Sequence, residues 1–375
     1  MNPSVDLVSY AGVVDLTEKG TPRSDDRHAD AERLEPEPSD STTMSLIVCA
    51  HTMDRFEQTC HAVSSVLEGT RRPEEVVVVV DRNPTLRDRL RESFPDTVQV
   101  IESAGVGTAD ARTTALHAVT GAVALFIDDD AWAEPDWLSE LHKVFQDPSV
   151  MGAGGRVVPE WEDPDAALPE ELLWIVGSTY RGHRTDAGPI SRPIGANMAA
   201  RREVLLELGG FPSAFGPHAG MKGHSSNDEL ATYTSITNRF GDQCVRYVPT
   251  AVVHHFAPAA RCTPRYVMKR SVVEGNSKAD VRRMHGSDVM AADRAYVREV
   301  IGSGILAYLI EGVRKRDRHS LRFAGLVAGS FLVTAGAYVV RLARSTAREV
   351  VVPALKGASR GDGSADTSPD TVRSD

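Results

Sequence analysis

Residues Ala122–Trp132 read AVALFIDDDAW. Val123–Ile127 is a short apolar run with the composition of a strand, and Asp128, Asp129 and Asp130 follow where that strand would leave its sheet. Three adjacent carboxylates repel one another, so they need a cation or several hydrogen-bond donors beside them. Carboxylate oxygens suit Mg2+ or Mn2+, and Mg2+ is usually held by one or two acids together with substrate phosphates. The competing reading is a solvated acidic turn that caps the next helix, a position that favours Asp and Glu. In an open α/β sheet, ligands gather outside the carboxyl ends of the strands, which is where this trio would lie.

Upstream, Ser45–Cys49, Val76–Val80 and Val98–Ile101 have strand composition, and Glu57–Leu67 and Ala109–Val119 have helical spacing. The unbroken β-branched run Val76–Val80 suits a strand buried on both faces. Strands alternating with helices predict a mostly parallel sheet of βαβ units flanked by helices. The segments after Cys49, Val80 and Ile127 then open on one edge, bringing Asp54, Asp81 and the trio together. Asp54 stands next to Arg55, a pairing typical of a solvated surface. The stretch GVGTADAR, Gly105–Arg112, matches a dinucleotide fingerprint only in part, since Asp110 stands where the last small residue belongs. Its glycines could instead admit a phosphate, with Arg112 on the first helical turn adding charge, or Arg112 could be a solvated helix cation.

Downstream, Pro135–Phe145 has helical spacing and Met151–Pro159 reads as a strand entered through glycines. Within LPEELLWIVGSTYRGH, Leu168–His183, Trp174 and Tyr180 could touch an acceptor or pack in the core. Asn197 is expected on a loop before a helix over Arg201–Leu208, placed either to bind a sugar hydroxyl or to cap that helix. In HSSNDELATYTSITNRFG, His224–Gly241, one of Ser225, Ser226 and Asn227 would cap a helix with Asp228 and Glu229 in its first turn. There a carboxylate gains from the helix dipole, and in a cleft it can also take a proton from an incoming hydroxyl. Val245–Val253 is a further strand, and neighbouring His254 and His255 would point to opposite faces, so at most one can join the acids.

Net charge is −10, unevenly spread. Residues 1–43 carry ten acids against four bases and are rich in Ser and Pro, the composition of a disordered tail; 354–375 reads as a second one. Residues 261–348 carry seventeen bases against seven acids, which suits an anionic membrane surface. No aromatic-rich or zinc-finger motif supports nucleic acid as a partner. Phe323–Val340 is uncharged over a length just inside that of a membrane span, with Gly325 and Gly329 in a small-xxx-small pattern. Arg322 and Arg341 flank both ends and give no orientation, so a helix lying in the inner leaflet, a single span and a buried soluble helix all stay open. Cys49, Cys60, Cys244 and Cys262 have no metal-ligand spacing and read as reduced cytosolic thiols, and the N-terminus has no signal-peptide pattern.

With these residues in place, the chain resembles family 2 glycosyltransferases of the GT-A fold. The likeness runs from about Met44 to about Gly286 through VVVVVD, ADARTTAL, FIDDDAWAEPDWL, PIGANMAARREVLLELGGF, NDELATY and VPTAVVHHF in that order. A narrower likeness, through EEVVVVVD, LPEELLWIVGSTYRG and EGNSKA, is to glucosyl-dolichyl phosphate glucuronosyltransferases. The resemblance implies a UDP-sugar donor, a Mg2+ or Mn2+ ion and transfer with inversion. It implies that Asp81 reads the uracil, Asp128 the ribose, and Asp130 holds the metal, with Asp129 beside them. From the strand pattern itself, His255 could be a further metal or phosphate contact or could simply pack. Where the family's first strand often ends in Thr-Tyr, this one ends in Ala50 and His51, so nucleobase contacts there must come from backbone or imidazole. The usual paired-acid motif, Gly-Glu-Asp or Gly-Glu-Glu, is here Asn227, Asp228 and Glu229; alignment from Gly241 makes Glu229 the base, and a one-residue shift makes it Asp228.

The expected layout is an acidic tail (1–43), a catalytic domain (44–260), a basic helical, membrane-associating extension (261–353) and a second tail (354–375). The expected activity is sugar transfer to a lipid-linked or related glycan acceptor at the cytoplasmic membrane face. Two alternatives stand beside it, a soluble transferase acting on a small molecule and a catalytically silent nucleotide-sugar-binding subunit.

Overall fold

The computed structural model describes residues 42–213, 228–286 and 296–357. All but the last two residues of the tail expected over 1–43 and most of that over 354–375 therefore lie outside the described residues, as do the capping positions 225–227.

The N-terminal half is a run of βαβ units. Strands β1 (Met44–Ala50), β2 (Glu75–Val80), β3 (Val98–Glu102) and β4 (Val123–Asp128) pair in parallel in the order β3-β2-β1-β4. Helices α1 (Phe56–Leu67), α2 (Pro84–Ser93) and α3 (Thr108–Ala118) connect them. The five valines of β2 are buried, as a strand covered by helices on both faces requires. Sequence spacing did not reveal α2, because PTLRDRLRES offers only Leu86 and Leu90 to the core. Its start is nevertheless chemical: Pro84 enters at the first turn, and the Asn83 side chain accepts from the Leu86 amide at 3.0 Å.

Beyond β4 the sheet becomes mixed. Strand β5 (Ala131–Ala133) turns back directly after the trio, followed by α4 (Trp137–Phe145), β6 (Gly152–Trp161), β7 (Gly188–Pro189), β8 (Asn197–Arg201), α5 (Arg202–Glu207), α6 (Asp228–Phe240) and β9 (Val245–Ala257). The order β3-β2-β1-β4-β8-β6-β9-β5 continues, with β8 antiparallel between β4 and β6, β6 parallel to β9, and β5 and β7 antiparallel on β9. Asn197 is thus the first residue of a strand rather than part of a loop. The β6–β9 register shifts at Gly155, where a Cβ would stand 1.8 Å from the Ala251 carbonyl oxygen, so only glycine allows the two backbones to approach.

Apolar cores fill both faces of the sheet, one under α1, α2 and α4 and one under α3, α5 and α6. A third joins Leu168, Leu172 and Ile175 to Val267 of α7 (Pro264–His285), to Ile301 just before α8 (Gly302–Lys315), and to Leu326 and Val327 of α9 (Arg318–Gly357). The C-terminal helices are therefore seated on the α/β unit. Helix α9 lies along α7: Ser271 and Ser330 share a buried hydrogen bond of 2.8 Å, and a Cβ on Gly275 would meet the Thr334 carbonyl at 2.3 Å. The close helix approach thus falls at Gly275; Gly329 faces only the tip of Met268, and Gly325 faces open space. Helix α9 also runs to Gly357, into the stretch expected to be tail.

Candidate active site

Parallel pairing fixes the register of the site. Ala50 lies opposite Val80 and Cys49 opposite Asp128, so the ends of β1, β2 and β4 open on one edge, as expected. Asp128 closes β4 with a half-exposed side chain, whereas Asp129 and Asp130, pinched between β4 and β5, are buried. A guanidinium neutralises this buried pair: Arg55 Nη1 donates to Asp129 Oδ1 at 2.5 Å, and Arg55 Nη2 lies 2.8 Å from Asp130 Oδ2. Asp130 has two further nitrogen neighbours, His255 Nε2 at 3.0 Å and Arg261 Nη1 at 3.9 Å. The two acids diverge accordingly. Burial pushes Asp129 up to about 7 against the pull of Arg55. Burial acts on Asp130 as well, but the His255 hydrogen bond and the nearby cations outweigh it and hold the group down at about 2.

Arg112 is neither a solvated helix charge nor a group waiting at the surface. It is buried, its Nη1 donates to Asp228 Oδ2 at 2.8 Å, and its Nη2 lies 3.6 Å from Asp128 Oδ1. One guanidinium thereby links the end of β4 to the first turn of α6, with Asp128 and Asp228 a hundred positions apart. Asp228 and Glu229 do stand in that first turn. Burial, then the charge and hydrogen bond of Asp228, push the Glu229 carboxyl upward, while Arg112 and Arg192 act in the other direction.

The remaining expected residues divide. Asp81 Oδ2 accepts the Gly107 amide at 2.8 Å, its own amide bonds Ala50 O, and Arg82 Nε lies 3.3 Å from Oδ1. Asp110 accepts the Val106 amide at 2.9 Å. The amides at Val106 and Gly107 are therefore taken by acids of the chain. His51 is exposed at the rim, with Nδ1 3.9 Å from Asp129 Oδ2. Asn197 neither caps a helix nor faces the cleft: it is wholly buried, accepts from Trp137 Nε1 at 2.8 Å, and donates to the carbonyls of Arg156 at 3.0 Å and Ala251 at 2.9 Å. Its carboxamide staples β8 to α4, β6 and β9. The two histidines separate as alternation requires, His254 toward Glu134 and Glu160, His255 inward to Asp130.

The model for glycosyl transferase family 2 matches residues 45–209. A glucosyl-dolichyl phosphate glucuronosyltransferase of Haloferax volcanii is 31% identical over 281 residues, which cover 72% of this chain and 86% of that one. The chain belongs to family 2 of the glycosyltransferases. Among solved structures, a mannosyltransferase from Pyrobaculum calidifontis in complex with GDP-Man and Mn2+ aligns with a TM-score of 0.53 at 19% identity, covering 78% of this chain and 86% of that one. The glycosyltransferase accordingly has an α/β GT-A fold.

Within this glycosyltransferase, Asp128, Asp130 and His255 each offer one ligand atom, all within 4.8 Å of one another. Two carboxylates and an imidazole form a donor set that suits a divalent cation. Oδ2 of Asp129, next to them, is buried and accepts no hydrogen bond among the described residues. The residues present thus fit the cation that the acidic run suggested. Sequence reading missed Arg55 and Arg261. Arg55 lies one residue beyond the acid that was weighed, in the short 3-10 turn Met53–Arg55, and no spacing rule connects it to a trio 74 residues on.

Proposed function

We propose that this glycosyltransferase transfers a sugar from a UDP-sugar, with inversion, to a hydroxyl of a glycan carried on a polyprenyl or dolichyl phosphate. The observation that supports it most is the Arg112 bridge, which sets the acids at the end of β4 opposite those at the start of α6. Transfer requires two functions on opposite sides of one sugar carbon, stabilisation of a leaving diphosphate and removal of an acceptor proton. Asp81 at the end of β2 reads the uracil and Asp128 the ribose. Asp130 and His255, with Asp128 beside them, hold Mg2+ or Mn2+, which when bound offsets the charge that develops on the leaving diphosphate. Glu229 takes the proton of the acceptor hydroxyl as that oxygen attacks, and the electron pair of the broken sugar–oxygen bond leaves with the diphosphate. Asp228 is already engaged by Arg112, which favours Glu229 as the base, and an upward-shifted carboxyl is better matched to proton transfer near neutral pH.

The acceptor class rests on two supports. The Haloferax relative is named for glucosyl-dolichyl phosphate. The second support is an exposed stripe on α8, Leu306, Leu309, Ile310 and Val313, whose i, i+3, i+4, i+7 spacing makes one continuous apolar face. Arg314, Lys315, Arg316, Arg318 and Arg322 follow where α8 turns into α9, the pattern of a helix that lies on an anionic lipid surface. Arg318–Arg344 of α9 is long and apolar enough to cross a membrane. In this fold it is bound along α7 through Arg341 and Asp280 at 3.0 Å and Arg282 and Tyr338 at 2.7 Å. Crossing would carry the charged side chains of α7 into hydrocarbon as well, so the helices are assigned to the plane of the membrane surface. The test is release of UDP from a panel of UDP-sugars with Mn2+ and a prenyl phosphoglycoside acceptor, the product's anomeric configuration being read by NMR. Consumption of GDP-sugars alone, retention at the anomeric carbon, or full rate in chelator would overturn the corresponding part.

A further inference from the structure

Next to the acid pair lies a cavity of about 310 Å3 that no step above uses. Its walls come from three places: Tyr180 and His183 after the Glu170–Val176 turn, Arg192 and Ile194 before β8, and Leu230 of α6, closed from the far side by Tyr296 and Val300 ahead of α8. Leu230 follows Glu229 directly, so the cavity borders the first turn of α6, where the acid pair stands. The wall is aromatic: Tyr180 stands edge-on to Tyr296 at 5.5 Å and to His183 at 5.7 Å, and His183 meets Tyr247 at 4.9 Å. Two guanidinium groups, Arg184 and Arg192, line it against one acid, Glu299. Tyr296 is held from behind by Glu171: its hydroxyl donates to the Glu171 carbonyl at 2.5 Å, and the buried Glu171 side chain accepts from Arg181 at 3.2 Å and from the Tyr308 hydroxyl of α8 at 3.1 Å.

We infer that this cavity is the acceptor subsite and that it receives a sugar phosphodiester, the sugar ring against Tyr180 and Tyr296 and the phosphate facing Arg192. An aromatic wall offers apolar faces to a pyranose, and a guanidinium offers the paired donors that phosphate oxygens accept. The position agrees: one wall leads to Glu229, and the other is the start of the helix whose apolar stripe begins at Leu306. A lipid tail leaving the phosphate would run from the cavity onto that stripe. The inference rests on the lipid-linked acceptor proposed above.

The test uses the full chain with two probes, a ten-carbon prenyl phosphoglucoside and an alkyl glucoside of equal length without phosphate, their binding measured calorimetrically. For Arg192→Gln, loss of one charged hydrogen bond predicts about ten- to hundredfold weaker binding of the phosphate probe, with the phosphate-free probe unchanged. Ser191→Trp, at an exposed position on the cavity wall, should weaken both probes with an unchanged melting temperature. Equal affinity of R192Q and wild type for the phosphate probe, or undiminished binding to S191W, would overturn the subsite. A wild type that hydrolyses donor but binds neither probe would overturn the lipid-linked acceptor itself, a separate result.

Discussion

Replacing Arg112 by Met tests whether the two acidic elements are held together by one buried cation. Methionine keeps most of the apolar stem, so the change isolates the charge and its donors. The guanidinium is buried and 2.8 Å from Asp228, itself buried, and 3.6 Å from the more exposed Asp128. Most of the loss then comes from Asp228, because an uncompensated buried charge costs about 3–5 kcal/mol whereas a solvated pair contributes about 1 kcal/mol or less. Contact with the Phe211 ring, 5.4 Å away, adds roughly 0.5–1 kcal/mol. Set against the roughly 5–15 kcal/mol that stabilises a typical domain, the single variant should be visibly weakened. The diagnostic is the double variant: Asp228→Asn removes the stranded charge, so R112M/D228N should recover about 2–3 kcal/mol relative to R112M in chemical denaturation. Arg112→Met costing under about 1 kcal/mol, or a double variant no more stable than the single one, would refute the bridge as the tie between β4 and α6.

Glu229→Gln should lower kcat by about 10²- to 10⁴-fold with an unchanged melting temperature; wild-type turnover would reassign the base. Asp130→Asn should raise the Mn2+ concentration for half-maximal UDP release by at least about tenfold, read in a metal titration. Glu75 is held down at about 2: burial acts to raise it, but hydrogen bonds from Ser45, Thr120 and Gly121 outweigh burial. Its depressed value contributes stability above the unfolded carboxyl's range, about 4.3, and that contribution is lost as pH falls toward 2. Linkage alone gives roughly 3 kcal/mol and solvent screening of a half-exposed group reduces this to about 1–2 kcal/mol, so Glu75→Gln should flatten the acid limb of stability against pH. Leu309→Glu with Val313→Glu on the α8 stripe should abolish co-sedimentation with anionic vesicles, each buried carboxylate opposing lipid entry.

The parallel half of the sheet was legible because its signal is local. Val76–Val80 and Val123–Ile127 are apolar runs ended by acids, and their strands extend those limits by no more than one residue. The mixed half was not. Strand β8 is NMAAR, short and without β-branched residues, and it is a strand because β4 and β6 flank it on both sides. The same override moved Asn197 from a loop to the core, where its bonds are to residues 41 to 60 positions away. Opposite facing of His254 and His255 could be read in advance, since period-two alternation holds wherever a strand is correctly placed. Arg112 shows the limit: helical position was evident, but its burial depended on Asp228, which nothing in the local sequence connects to it.

An acid cluster suited to a divalent cation has to remain folded when that cation is absent, and Arg55 supplies the means. Its two nitrogens divide between Asp129 and Asp130, while Arg261 approaches Asp130 and His255 lies between Asp130 at 3.0 Å and Asp128 at 4.0 Å. Two guanidinium groups and an imidazole around two buried carboxylates remove most of the repulsion that the run of aspartates would otherwise build up at the sheet edge. Asp128, the one acid of the trio that Arg55 does not engage, is also the most exposed and faces the Arg112 side. The trio is therefore three residues in three environments: one shared with the acid pair of α6, one with burial dominant, one with cations dominant. That asymmetry lets adjacent and identical side chains carry different functions, and it arises from partners at positions 55, 112, 255 and 261 rather than from anything within the run itself.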